Sequence, residues 1–101
     1  MPKPLFTINV EVPAEPRAVY FIKNAKAKKG EPGLVEVTHR VRRLAVVQAK
    51  AGCNGDDPHY LRRLDVNFKL VWETRHASLQ ETLWHAEWEY EVQEADWEKV
   101  G

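Results

Sequence analysis

Apolar residues fall on every second position in three stretches of this chain, and that period constrains its fold more than any other feature. In "LFTINVEV", Phe6, Ile8, Val10 and Val12 alternate with Thr7, Asn9 and Glu11. In "LDVNFKLVWE", Leu64, Val66, Phe68, Leu70 and Trp72 alternate with Asp65, Asn67 and Lys69. In "LWHAEWEYEV", Trp84, Ala86, Trp88, Tyr90 and Val92 alternate with His85, Glu87, Glu89 and Glu91. Successive side chains of a strand point to opposite faces, so each stretch reads as a strand with one buried and one wet face.

Two further strands complete the reading. "AVYFIK" is short and apolar on both sides, which suits a strand covered on both faces. "LVEVTHRVRRLAVVQAKA" alternates on odd positions through Val41 and on even positions from Leu44, with the shift at Arg42-Arg43. A bulge or sharp bend there restores one buried face; a helix over residues 40–50 is the rival. The strands are separated by "PAEP", by "NAKAKKGEPG" and by "GCNGDDPH", all rich in turn formers.

The segment before the last strand is ambiguous. Ser78 and Glu81 have capping-box spacing, so a short helix near residues 78–84 can start there. Continued as a helix, Leu79, Leu83, Ala86, Tyr90 and Trp97 share a face, but Trp84, Trp88 and Val92 project elsewhere. The alternating template accounts for more of the apolar positions and predicts a strand over 82–93. Paired with "LDVNFKLVWE", it sets Phe68 opposite Trp88 or Tyr90, with the aromatic rings inside. The expected fold is therefore one β-rich domain over residues 1–101. It is a mainly antiparallel sheet or open barrel of about five strands, with room for one short helix.

Size and composition agree with this. A chain of 101 residues supports one modest core, and 44% hydrophobic residues with 30% charged is ordinary for a globular domain. No apolar run approaches the ~20 residues that cross a bilayer, so no membrane partner is expected. A single cysteine, Cys53, cannot form an internal disulfide. A reducing compartment is the simplest home, the cytoplasm or, for a viral protein, the virion.

The net charge is zero but the charges are segregated. Residues 15–50 carry nine Lys/Arg against three Glu, and residues 76–101 carry seven Asp/Glu against one Lys. Pairing of basic and acidic strands within one sheet would cancel these fields internally. Left unpaired, they would make two surfaces for partners. The basic candidates are Lys26, Lys28 and Lys29 in the loop and Arg40, Arg42 and Arg43 on the third strand. The acidic candidates are Glu87, Glu89 and Glu91 on the wet face of the last strand.

Chemistry-bearing motifs are missing. There is no phosphate-binding glycine loop and no dinucleotide fingerprint. His76 and His85, with Glu87 nearby, fall short of the three or four converging ligands a metal needs. Cys53 and His59 sit in a turn with Asp56 and Asp57, without an orienting group or an oxyanion pocket. The expectation is a non-enzymatic domain without cofactor or metal. It works as a protein-interaction or assembly module, of the kind found among viral structural or host-factor-binding proteins. The alternative is a nucleic-acid-binding β-domain, with phosphates on the basic residues and bases stacked on Tyr20, Tyr60 or Trp97. The near-neutral pI of 6.9 weighs against that alternative.

Overall fold

The computed structural model describes residues 4–48 and 58–100. Their architecture is mainly β: a five-stranded antiparallel sheet, a separate two-stranded sheet and one α-helix. The large sheet does not close into a barrel. In chain order the strands are β1 (Phe6–Asn9), β2 (Phe21–Lys23), β3 (Leu34–Glu36), β4 (Arg43–Gln48), β5 (His59–Leu64) and β6 (Leu70–His76). The helix α1 (Leu79–Tyr90) follows, and β7 (Glu98–Lys99) ends the fold. The large sheet runs β6-β5-β4-β1-β7, and β2 pairs only with β3.

The first strand lies where the alternation puts it. The long third segment instead divides into β3 and β4, which belong to different sheets. A 3-10 turn at Thr38–Arg40 separates them, just before the Arg42-Arg43 shift. Val37 and Val41 flank that turn, and both are buried. The Thr38 hydroxyl accepts from the Tyr20 amide at 2.7 Å, fixing the crossover against residue 20. The parity shift thus marks a change of sheet, and residues 43–48 are strand rather than helix. The "AVYFIK" segment is also corrected: Phe21, Ile22 and Lys23 are exposed, because β2 has only β3 beside it.

The segment with the most regular alternation, "LDVNFKLVWE", is not one strand. Asp65 breaks it: its Oδ1 accepts from the amides of Asn67 (2.8 Å) and Lys69 (3.0 Å). Phe68 takes a left-handed conformation with φ of 63°. This side-chain-to-backbone bonding offers the chain a turn instead of a ladder. Residues 59–64 and 70–76 become an antiparallel hairpin, with Arg63 opposite Trp72 and Leu61 opposite Thr74.

The strand expected over residues 82–93 does not form: residues 79–90 are helical, and β6 is left at the edge of the large sheet. Ser78 is the N-cap, accepting from the Glu81 amide at 3.2 Å, while the Glu81 carboxylate accepts from the Ala77 amide at 3.3 Å. Glu91 closes the helix in a left-handed conformation, with φ of 59°. The pairing of Phe68 with Trp88 or Tyr90 is therefore overturned. Leu79, Leu83, Ala86 and Tyr90 face the sheet, where they meet Leu44, Val46 and Leu61. One sheet face needs an apolar cover, and a stripe along about three turns of α1 supplies it. Truncating fully buried Leu44 or Leu61 to alanine would cost about 2–5 kcal/mol.

Candidate interaction surfaces

The two sides of α1 differ sharply. Toward the sheet, Glu89 is 3% exposed and meets the fully buried Arg63 of β5. The contact is two-pronged: Arg63 Nε donates to Glu89 Oε1 at 2.9 Å, and Nη2 donates to Oε2 at 2.7 Å. The Tyr20 hydroxyl donates to the same Oε1 at 2.5 Å, and His85 Nε2 lies 3.0 Å from Oε2. Arg63 Nη1 donates to the Leu61 carbonyl and to Thr74 Oγ1, each at 3.2 Å. The Tyr20 ring lies 4.9 Å from the guanidinium carbon and stacks on Trp72 with centroids 5.1 Å apart.

Every charge in this cluster has a partner, which is what lets charges remain inside a small core. Burial disfavours a charged Glu89, but the hydrogen bonds and charge of Arg63 outweigh it and hold the carboxyl below the usual range. Burial and the bond to Glu89 push the Tyr20 hydroxyl far upward. Burial and neighbouring His85 push the His76 imidazole down. The cluster ties α1, the sheet and the residue 20 segment together. It offers no exposed nucleophile or open ligand position.

Toward solvent, α1 presents two large rings one turn apart, Trp84 (60% exposed) and Trp88 (46% exposed). They line an open cleft with Arg17, Glu87, Glu91 and Gln93. The last helical turn holds no basic residue, so the partial negative charge of the helix C-terminus adds to the carboxylates. One cation already rests on its edge: Arg17 Nη1 donates to the Trp88 carbonyl at 3.0 Å, and its Nη2 is 4.0 Å from Glu91.

The basic candidates fall in three places. Lys26, Lys28 and Lys29 are exposed on the turn joining β2 to β3. That turn is held by backbone bonds from Ala27 to Asn24 (3.1 Å) and from Glu31 to Lys28 (2.9 Å). Arg40 is exposed in the 3-10 turn, and Arg42 donates to the His39 and Val41 carbonyls at 2.7 and 2.8 Å. Arg43 lies on β4, bonded to Thr7 and Asn9 and set 5.3 Å over the Phe68 ring. Arg43 thus lies on the large sheet, while the lysines lie on the turn of the small one. The acidic trio is corrected likewise: Glu87 and Glu91 are exposed, but Glu89 points inward, since alternate residues of a helix lie about 200° apart.

His76 and His85 do approach, with ring centroids 4.9 Å apart, but the carboxylate beside them is Glu89 and not Glu87. Among the described residues no three His, Cys, Asp or Glu side chains converge as metal ligands. Cys53, Asp56 and Asp57 lie outside the described residues. Tyr20 is buried and unavailable for stacking on bases, while Tyr60 and Trp97 are half-buried. No described helix is long and apolar enough to cross a membrane. No family model matches the chain, and neither a curated protein nor a solved structure matches it.

Sequence reasoning missed Arg63 and the outward Trp84 and Trp88, and it gave Tyr20 a stacking role where the structure gives it a buried bond to Glu89. The signal was present in the helical template, which set Leu79, Leu83, Ala86 and Tyr90 on one side and both tryptophans off it.

Proposed function

We propose that the protein is a non-enzymatic interaction module whose acceptor surface is the outer side of α1. Trp84 and Trp88 form the floor, Glu87 and Glu91 the rim, and the ligand is a cationic segment of a protein partner. The observation that carries this reading is the exposure of two tryptophans one turn apart inside a negative field. Exposed large rings of this kind are enriched at binding hot spots. Tryptophan faces attract ammonium and guanidinium groups, and nearby carboxylates strengthen the preference. Arg17 on the Trp88 carbonyl is an example within the chain of a cation held at this edge.

The nucleic-acid reading has less support. Arg42 is engaged with neighbouring carbonyls and Arg43 with neighbouring side chains, and Arg43 sits on a different sheet from the strands that flank the lysine turn.

Titration with an oligolysine peptide, followed by tryptophan fluorescence, tests the proposal. Binding should change the emission at low salt and fade at high salt, because exposed charge pairs are screened over roughly 10 Å. Trp84→Ala with Trp88→Ala should abolish the change. An unaltered response in that variant would sink the proposal.

A further inference from the structure

The acceptor face of one molecule has a natural counterpart elsewhere on the same chain. The β2–β3 hairpin carries Lys23, Lys26, Lys28 and Lys29, all exposed, beside the exposed apolar side chains of Phe21 (47%) and Leu34 (59%). A free-standing pair of three-residue strands buries little and gains little stability alone. Its apolar residues are left exposed, and its four lysines outnumber its two carboxylates, Glu31 and Glu36, so four minus two leaves the hairpin at +2. Among the described residues no ion pair involves Lys23, Lys26, Lys28, Lys29 or Glu87.

We infer that the partner of the α1 outer face is the β2–β3 hairpin of a second copy of this chain. This rests on the reading of that face as a cation acceptor. Two kinds of complementarity select the occupant. The hairpin is cationic and apolar, and the face is acidic and aromatic, so charge meets charge while Phe21 and Leu34 cover the indole rings. Charge alone would be a weak selector, since exposed ion pairs are screened by water and salt and contribute little each. Apolar cover over two tryptophans supplies the larger share.

The chain's own hairpin does not serve its own face. Its base is anchored beside the C-terminal half of α1, where Arg17 meets Trp88 and Tyr20 meets Glu89. Phe21 and Leu34 of the hairpin and Trp84 and Trp88 of the face are all exposed within one molecule, so neither covers the other. The turn bonds from Asn24 through Glu31 fix the shape of that tip, which limits the ordering cost of docking. Donor and acceptor are different surfaces on one molecule. The contact is therefore heterologous, and every bound copy still offers one free hairpin or one free face. Repetition of such a contact builds a ring or an open chain of subunits.

Complementary disabled variants test this directly. Variant one carries Lys26→Glu, Lys28→Glu and Lys29→Glu and keeps its face. Variant two carries Trp84→Ala and Trp88→Ala and keeps its hairpin. All five positions are exposed, and circular dichroism checks that both variants remain folded. In multi-angle light scattering at low salt, the wild-type mass should rise with concentration, and each variant alone should be monomeric. Self-affinity should fall roughly thirtyfold or more on losing the tryptophans, the factor that corresponds to a hot spot of 2 kcal/mol. Mixed together, the variants should form a complex of two subunits that grows no further. As a second check, Glu87→Lys with Glu91→Lys, added to variant one, should restore part of the self-association.

A wild-type mass that stays monomeric at every concentration overturns the inference, as does a mixture that forms no complex. If oligolysine still shifts the tryptophan emission in those cases, the acceptor reading survives and only the identity of the partner falls. If oligolysine has no effect either, both fall. A monomeric wild type whose hairpin lysines instead retain an oligonucleotide in a gel shift also overturns it, in favour of a nucleic-acid partner.

Discussion

Glu87 and Glu89 are separated by one residue on the same helix, yet their surroundings have nothing in common. Glu89 is buried against Arg63, Tyr20 and His85, whereas Glu87 stands in solvent beside Trp84 and Trp88. The inner side of α1 sets a buried carboxylate, Glu89, into an otherwise apolar stripe. The outer side is aromatic where a surface is usually polar. The inversion teaches that residue type does not report side. A buried glutamate is tolerable when a guanidinium forks onto it, and two exposed tryptophans one turn apart make an apolar patch where a helix surface is usually polar.

The largest way to break this contrast is to remove one partner from the inner side. Arg63→Ala should destabilise the fold by about 3–5 kcal/mol, because it strands a buried carboxylate. Replacing both groups by apolar residues, Arg63→Met with Glu89→Leu, should recover most of that loss in chemical denaturation. If the double variant is no more stable than the single, the ion pair does more than fill space.

Acid should reach the same cluster in two stages. His76 has a lowered value when folded, so below about 6.5 the unfolded chain binds the extra proton and stability begins to drop. Glu89 is also lowered when folded. Its contribution is complete above the ordinary carboxylate value and is lost as pH falls through the folded one. Thermal melting from neutral to acid pH should therefore decline in both ranges. Glu89→Gln should flatten the lower one.

The outer side should behave in the opposite sense. Trp84→Ala with Trp88→Ala should abolish partner binding while changing stability by no more than ~0.5 kcal/mol, as exposed positions generally do. A stability loss approaching that of Arg63→Ala would mean the indoles belong to the core after all. The smallest effect sharpens the boundary between the sides. Glu91 holds a left-handed C-cap that glycine adopts without strain, so Glu91→Gly should stabilise the fold by up to about 1 kcal/mol. The same change should weaken oligolysine binding by removing a rim carboxylate.

The alternation of Phe6 and Ile8, the turn chemistry around Gly30 and Pro32, and the parity break at Arg42-Arg43 were all legible in the sequence. They fix a β-rich fold and one point where the chain changes course. The fate of "LDVNFKLVWE" was not legible from period alone. Val66 and Phe68 continue the alternation, but Asp65 bonds two backbone amides and turns the chain beneath them. For residues 79–90 the two periods competed, and counting apolar positions favoured the wrong one. Trp84 and Trp88 entered that count as core, and they are surface. Of the candidate site, the lysine turn and Glu87 with Glu91 were readable from charge; Arg63 was not, since nothing local marks an arginine as buried.

By itself the sequence determined a small β-rich domain with an N-cap at Ser78, a lysine-bearing turn and opposite charge at its two ends. These are local properties, set by side-chain period, by turn formers and by composition. Only the tertiary structure decided which side of residues 79–90 would face inward. Residues 59–76 form their own hairpin, and β6 keeps a free edge in the sheet that residues 79–90 do not extend. A sheet face lined by Leu44, Val46 and Leu61 remained to be covered. Burial of that face is a non-local demand, so it overrode the local alternation, turned Glu89 toward Arg63 and left two tryptophans outside.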